Sequence, residues 1–346
     1  MEVVVKIIYN VALLFIMMIP GVLLKKLKMV PDGFGKGLSN LVLYIAQPAL
    51  IFLAYVRDFD AEILRNSAYV FALSIVAHAL FAVFAMLCFK GAADAQRRML
   101  RFATIFSNAA FMGIPLISVV LEEAYPGATL YASIYNITFN LFLWSLGVFI
   151  CTSNRDTNAD GVDDYKEVSS TKVNKNDDNK VKDGSGSILK ALYHPVTIAA
   201  IIGLVFFILP INTYVPGLVT ESLTMLKNLV APLSMVVIGL RLAEVDFRGL
   251  FSDVNMYGFL ALRHLVLPLT VVGVMRLLMF LGAPISEDAL LVVTILAATP
   301  AASSATMFAE KYDCDAGYAS KLVAVSTILC IATMPLVVMI AQLGLA

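Results

Sequence analysis

Two short polar stretches interrupt apolar runs, and each contains a proline. Because proline lacks an N–H and its ring clashes with the preceding turn, each stretch is expected to break its helix. A broken helix exposes unpaired N–H groups and a positive dipole end, which favour an anion. A plain proline kink packed by small residues is the alternative for either stretch alone. The predicted solute-binding residues are Ser107, Asn108, Gly113, Pro115, Pro300, Ser303, Ser304 and Thr306.

Four further polar side chains lie inside apolar runs. Asn136 and Asn140 are one turn apart, so they could face the same cavity or bond to a neighbouring helix. Arg263 lies roughly 12 Å from the end of its predicted helix, where it could bind a carboxylate, pair with a partner or extend to the lipid headgroups. His78 could relay a proton or simply pack through a hydrogen bond. All four are candidate site residues.

A polar segment in the middle of the chain matches a calcium-loop pattern, D-x-[DN]-x-[DN]-G-x₅-E. Gly161 would supply the sharp turn of such a loop. Asp163, however, stands where these loops usually place an aliphatic residue, and a segment rich in Asp and Asn can match by chance. A solvated linker is the alternative, and we expect no other cofactor. The predicted oxygen ligands are Asp156, Asn158, Asp160, Asp164 and Glu167.

The composition indicates that the elements carrying these residues are membrane helices. Sixty per cent of residues are apolar and 14% are charged, against about half and about a quarter in soluble domains. Ten apolar runs are long enough to cross the hydrocarbon, which takes about 20 residues. The runs are Val3–Leu24, Leu38–Val56, Ala68–Phe89, Leu100–Leu121, Ala128–Thr152, Ile188–Leu209, Leu223–Ala243, Tyr257–Leu281, Ala289–Ala309 and Ser320–Leu345. The expected fold class is therefore an all-α polytopic membrane protein.

The runs divide the chain into two five-helix repeats, residues 1–152 and 188–346, joined by a disordered linker at residues 153–187. Most lysines and arginines lie in loops after odd-numbered helices, which places those loops and the linker in the cytoplasm and both termini outside. Because five is an odd number, the second repeat must enter the membrane from the opposite side. Inverted repeats with interrupted helices in corresponding positions are typical of secondary transporters, and the polar stretches occupy the fourth helix of each repeat.

Several other classes of protein are excluded. The net charge is zero, so nothing indicates nucleic acid as a partner. The P-loop pattern is absent, which argues against ATP-driven pumping. We find no nucleophile–base or metal constellation and therefore expect no enzyme. Acidic residues are scarce within the apolar runs, so paired carboxylates that could coordinate sodium are not evident.

Six stretches resemble the auxin efflux carrier family of permeases, which includes plant PIN-type auxin carriers and bacterial permeases linked to malate or malonate. They are Asn40–Phe52, Ser107–Leu116, His194–Gly203, Ala231–Ala243, Arg263–Pro268 and Thr299–Ala309. The resemblance implies ten helices in two inverted repeats, with broken helices 4 and 9 crossing at the site. It also implies that helices 3–5 and 8–10 shift against helices 1, 2, 6 and 7.

The chain departs from the plant pattern at three places, one of which is helix 3, where the acid that looks important in plant carriers is lacking. A second proline marks the helix-9 crossing of plant carriers, but Ala305 stands at the matching position here and Pro300 lies earlier, which leaves the break point open. The plant stretch P-L-L-S-F reads Pro48-Ala49-Leu50-Ile51-Phe52, without its serine. Auxin itself is therefore not the expected solute. A small mono- or dicarboxylate is expected instead, with a neutral or amino-acid solute as the alternative.

These observations favour a secondary transporter of a small organic anion that works by alternating access in the cell membrane. Its expected partners are the solute and membrane lipid, and a homodimer is left open. One alternative is a membrane sensor that binds a solute and signals through its linker. Another is a transporter of a different class on a related fold, such as the bile-acid or sodium type.

Overall fold

The computed structural model describes residues 2–152, 193–209, 211–245 and 253–343, without the side chains of residues 2–7, 212 and 213. In this part of the chain the regular structure is helical, and a single antiparallel bridge joins Ser107 to Ala301. The all-α prediction is therefore confirmed for the described residues. The predicted linker and its calcium ligands Asp156, Asn158, Asp160, Asp164 and Glu167 lie outside the described residues.

The first half of the chain contains seven helices in the described range. They are α1 (Glu2–Ile16), α2 (Ile19–Lys26), α3 (Phe34–Tyr55), α4 (Ala61–Leu87), α5 (Asp94–Ile105), α6 (Ala109–Val120) and α7 (Ala128–Thr152). Helix α4 begins where the Asp60 carboxylate accepts hydrogen bonds from the N–H groups of Glu62 and Ile63. Such an N-cap satisfies donors that have no partner within the helix.

The second half continues with helices of similar composition. They are α8 (Pro195–Ile208), a 3₁₀ turn (Ile211–Tyr214), α9 (Gly217–Lys227), α10 (Val230–Ala243), α11 (Val254–Phe280), α12 (Glu287–Ala298), α13 (Ser304–Lys311) and α14 (Ala316–Gln342). Side chains of Asp253, Ser286 and Asp315 cap α11, α12 and α14.

Seven helical segments of the described chain are long and apolar enough to cross a membrane, and they coincide with seven of the predicted runs. The other three predicted runs differ for two reasons. The fourth and ninth are each divided into two shorter helices, α5 with α6 and α12 with α13. The sixth begins outside the described residues, which show its continuation as α8. The arrangement of ten spans in two inverted repeats stays a prediction.

Three helices contain a π-helical turn that ends just before a proline. The turns are Val42–Ala46, Ala109–Gly113 and Leu262–Val266, and the prolines are Pro48, Pro115 and Pro268. Proline removes one hydrogen-bond donor and clashes with the preceding turn, so the helix widens there instead of continuing regularly. Such turns are frequent at functional sites because they reorient the side chains that they contain.

Helices α2, α3, α8, α9 and α10 pack together, and we call them the scaffold bundle. Its closest contact is between the backbones of α2 and α10. A Cβ added to Gly21 would lie 2.2 Å from the Val236 carbonyl oxygen, and one added to Gly239 would lie 2.1 Å from that of Met18. Small residues allow membrane helices to approach this closely.

Helices α4–α7 and α11–α14 form a second group, the central bundle. Helix α12 lies at its centre, with every side chain from Ala289 to Ala298 at most 1% exposed. A helix that is apolar on all sides is expected to be buried on all sides. Apart from α1, which contacts α6, α10 and α14, the two bundles contain the helices that the family resemblance assigns to a fixed and a moving part.

Candidate functional site

The two helix breaks lie against each other in the middle of the protein. Residues 106–108 separate α5 from α6, and residues 299–303 separate α12 from α13. The Asn108 N–H donates to the Pro300 carbonyl at 2.7 Å, and the Ala302 N–H donates to the Phe106 carbonyl at 2.8 Å. Non-helical backbone at membrane depth needs such internal partners. We call these two paired segments the crossing.

The structure places the break of the ninth predicted run at Pro300 and not at Ala305. Thr299 is extended, with φ −63° and ψ 154°, as is expected for a residue before proline. Ala305 lies inside α13, where it is fully buried. The two breaks therefore do not have prolines at matching positions. Pro300 lies at the break between α12 and α13, whereas Pro115 lies inside α6, after the break between α5 and α6.

Gly113 and Pro115 shape α6 and line neither of the two cavities described below. A Cβ on Gly113 would lie 2.6 Å from a methyl carbon of Leu296 and 3.2 Å from that of Thr299. The glycine therefore lets α6 approach the end of α12 closely. Pro115 follows the π turn of α6 and is buried.

Polar side chains at the starts of α6 and α13 meet at the crossing. The Asn108 side-chain amide donates to Ser303 Oγ at 3.2 Å. Both residues are N-terminal to their half-helices, and neither side chain caps its own helix. The N-terminal ends of two half-helices, with their positive dipole ends, thus lie beside the same pair of side chains.

A narrow cavity of about 90 Å³ lies beside the crossing. Its wall brings together six of the predicted site residues, although they come from three separate segments of the sequence. Those six are Ser107, Asn108, Asn136, Asn140, Ser303 and Ser304. The apolar part of the wall is formed by Phe111, Phe139 and Trp144. The scaffold bundle adds the polar side chains of Gln47 and His194.

Six polar atoms of residues that line this cavity are buried and have no hydrogen-bond partner among the described residues. They are Gln47 Oε1, Ser107 Oγ, Asn136 Oδ1, Trp144 Nε1, His194 Nδ1 and Ser304 Oγ. A buried polar atom without a partner costs roughly 1–3 kcal/mol. The wall is therefore suited to a polar ligand that supplies the missing hydrogen bonds.

A larger cavity of about 460 Å³ adjoins the narrow one and shares Ser303 and Ser304 with it. It lies between α3 and α10 of the scaffold bundle and α13 and α14 of the central bundle, and Thr306 lines it. Its charged residues are Lys36, Arg241, Glu244 and Glu310. Lys25 forms an ion pair with Glu244 at 2.7 Å.

Arg263 and His78 lie outside the walls of both cavities. Arg263 is fully buried and donates to three backbone carbonyls, those of Thr104, Ala297 and Thr299. The His78 ring lies among Tyr135, Phe139 and Phe142, and its Nδ1–H donates to the Ser74 carbonyl at 2.7 Å. Pro300 contributes its carbonyl to the crossing.

Several residues at or near the site were not predicted, among them Gln47, Arg241 and His264. Gln47 is fully buried in α3, and its amide donates to the Ala110 carbonyl at 2.7 Å. Arg241 of α10 donates to the Ser303 carbonyl at 2.8 Å and to Thr306 Oγ1 at 3.1 Å. His264 lies 2.8 Å from Ser326 Oγ. Gln47 was detectable as an isolated amide before a proline in an apolar run, whereas Arg241 looked like an ordinary loop cation.

The described residues contain no cluster of three His, Cys, Asp or Glu side chains that could hold a metal ion. The predicted calcium ligands are not part of that search, because they lie outside the described residues.

Two comparisons with known proteins cover nearly the whole chain. The sequence profile of one protein family, described as "Membrane transport protein", matches residues 6–338. A protein of Methanothermobacter thermautotrophicus named "Uncharacterized transporter" is 23% identical over 326 residues, which is 93% of this chain and 94% of that protein.

Proposed function

Because this chain belongs to the membrane transport protein family, the auxin efflux carriers, we propose that it moves a small organic anion across the cell membrane by alternating access. The family match and the seven apolar segments establish a multi-pass membrane transporter. A mono- or dicarboxylate as solute, the crossing as its binding site and the mechanism are the proposal. The resemblance seen in the sequence is confirmed at the level of the family.

The observation that supports the crossing as the site is the meeting of two helix N-termini at one cavity. Asn108 and Ser303 lie at the starts of α6 and α13 and line the narrow cavity, and neither side chain caps the N–H groups of its own helix. Uncapped N–H groups and the positive dipole ends attract a negative charge. Half-helices that point their N-termini at an anionic group are a known arrangement in secondary transporters.

The cavity wall offers hydrogen-bond donors to a carboxylate, beside the acceptor oxygens of Gln47 and Asn136. The Asn108 amide and the hydroxyls of Ser107 and Ser304 can donate hydrogen bonds to carboxylate oxygens. In the adjoining large cavity, Arg241 and Lys36 add positive charge. Glu244 in that cavity is neutralised by Lys25, and Glu310 is exposed.

Alternating access needs two parts that move against each other around the site. The narrow cavity lies between Gln47 and His194 of the scaffold bundle and the crossing of the central bundle. The large cavity continues between the bundles to residues that the charge distribution predicts to be cytoplasmic, such as Lys36. In the proposed cycle, the central bundle shifts and opens the site to the other side.

Counterflow in proteoliposomes with a panel of labelled mono- and dicarboxylates tests the proposal. We expect at least one acid to exchange, and Asn108→Ala to reduce its exchange at least about tenfold through loss of a hydrogen bond to a charged group. Asn228→Ala, at the end of α9 and outside both cavity walls, is the matched control and should exchange normally.

Three results would contradict parts of the proposal. If none of the acids exchanges, mono- and dicarboxylates are not the solute. If Asn108→Ala exchanges the acid as fast as the wild type, Asn108 is not part of the binding site. Binding of an acid without any exchange would favour the sensor alternative.

A further inference from the structure

Arg263 is a fully buried cation located directly behind the crossing. It lies in the π turn of α11, which directs its side chain toward the two breaks. One guanidinium nitrogen donates to the Thr104 carbonyl at 3.2 Å. Another donates to the carbonyls of Ala297 at 3.2 Å and Thr299 at 2.7 Å. One side chain therefore joins both interrupted helices.

The acceptors are carbonyls that the breaks leave without helical partners. In a continuous helix the Thr104 carbonyl would bond to the Asn108 N–H, and the Ala297 carbonyl to the Ala301 N–H. Here Asn108 donates to Pro300, and Ala301 donates to Ser326 Oγ. The C-terminal ends of α5 and α12, which carry negative partial charge, therefore converge on one guanidinium.

No carboxylate of the described chain forms an ion pair with Arg263. The Phe81 ring lies 5.4 Å from the guanidinium carbon and adds a cation–π contact. Burying a charge is costly unless it is compensated, so the helix ends and the ring must supply the compensation. The two helix ends and the arginine thus depend on each other.

From this geometry we infer that Arg263 is a built-in cation that takes the place of a bound metal ion at the crossing. Unwound carbonyls and the C-terminal ends of half-helices are the groups with which other transporters coordinate sodium. The guanidinium occupies that ligand set permanently, so the crossing assembles without sodium. Arg263 is a positioning residue and does not contact the solute. We further expect that solute exchange is independent of sodium, and this expectation rests on the proposed transport function.

The first test measures the thermal stability of the purified full-length protein in choline chloride and needs no solute. Arg263→Ala should lower the melting temperature by at least about 5 °C, because three carbonyls lose their donor. Guanidinium at a low, non-denaturing concentration, or sodium, should restore a large part of the loss. The wild type should respond to neither ion.

Arg276→Ala is the matched control, because Arg276 lies on the same helix and also donates to a carbonyl at a helix end, that of Ala341. Its melting temperature should not respond to guanidinium or sodium. If Arg263→Ala is too unstable to purify, Arg263→Lys and Arg263→Met provide the comparison, because only the lysine keeps the charge. We expect clearly more folded protein from the lysine variant.

Three results would overturn the inference: a stable Arg263→Ala, an unstable one that no cation restores, or equal yields of the lysine and methionine variants. Replacing sodium by choline in the counterflow assay tests the expectation for transport, and sodium-dependent exchange would contradict it. Because stability is measured without a solute, failure of the proposed function would leave that part of the test intact.

Discussion

Side-chain hydrogen bonds hold the crossing on three sides. Asn108 bonds to Ser303 on the cavity side, Arg263 bonds to the helix ends behind it, and Ser326 bonds to the backbone between them. Each of these side chains lies at most 2% exposed. At the scale of the residue, the crossing is therefore stabilised by specific polar contacts in an apolar surrounding, where an unmade bond is costly.

The contact made by Ser326 leads to a prediction about stability. Its hydroxyl accepts from the Ala301 N–H at 2.8 Å and lies 2.8 Å from His264 Nε2, whose other ring nitrogen lies 3.0 Å from Thr333 Oγ1. Ser326→Ala leaves two buried groups without this partner, so we expect a loss of about 1–3 kcal/mol.

Ser320→Ala is the control for this substitution, because the Ser320 hydroxyl bonds only within its own helix, to the Ala316 carbonyl. The melting temperature of both variants in detergent measures the difference. Equal melting temperatures would show that the contact with Ala301 is not important for the stability of the crossing.

At the scale of the element, the broken helices orient their dipoles in opposite directions around the crossing. Helices α6 and α13 point their N-termini at the narrow cavity, whereas α5 and α12 point their C-termini at Arg263. A continuous helix cannot place both kinds of end in the centre of a membrane protein. The breaks thus create a side suited to anions and a side suited to a cation.

Helix pairs within the scaffold bundle depend on glycine. Gly239→Ala would place a Cβ 2.1 Å from the Met18 carbonyl oxygen and 3.2 Å from Gly21 Cα, both backbone atoms that cannot rotate away. Helices α2 and α10 would have to separate, and overpacking of this kind costs typically about 1–3 kcal/mol. We therefore expect a lower melting temperature and less folded protein.

Gly273→Ala is the matched control on α11, where an added Cβ would meet no atom within 4 Å. Because alanine is the better helix former, this variant should be as stable as the wild type or slightly more stable. If Gly239→Ala behaves like Gly273→Ala, the backbone contact between α2 and α10 is looser than described.

At the scale of the whole molecule, the scaffold and central bundles meet at the narrow cavity. Asn140 of the central bundle donates to Thr197 of the scaffold bundle at 3.4 Å, and Arg241 joins α10 to α13 beside the larger cavity. If the bundles move as proposed, these contacts must break in each cycle. Such small polar contacts are suited to an interface that opens and closes.

A reversible cross-link between Asn140→Cys and Thr197→Cys tests this motion, in a background without Cys88, Cys151, Cys314 and Cys330. We expect the cross-linked protein to lose exchange of whichever acid the panel identifies, because the bundles can no longer separate. Reduction should restore exchange to the level of the uncross-linked double variant.

The two single-cysteine variants show the effect of losing each side chain alone. If the cross-linked protein exchanges the acid as fast as the same protein after reduction of the disulfide, a motion between α7 and α8 is contradicted.

Local features of the chain were readable from the sequence alone. The apolar runs identified the membrane helices, since a bilayer requires about 20 apolar residues per span, and the all-α class is confirmed in the described chain. Proline and small residues indicated interruptions in the fourth and ninth runs, where the structure has breaks. The family resemblance also came from local stretches, and the family match agrees with it.

The sequence by itself thus determined the membrane helices, the family and the polar residues near the breaks, because these depend on composition and on neighbouring residues. Only the tertiary structure decided which polar groups meet. It placed Ser107 beside Asn136, brought Gln47 and Arg241 to the site, located the second break at Pro300, and turned Arg263 toward helix ends and away from the cavities. The physical reason is that these contacts join residues far apart in the chain, and the packing of whole helices determines which faces meet.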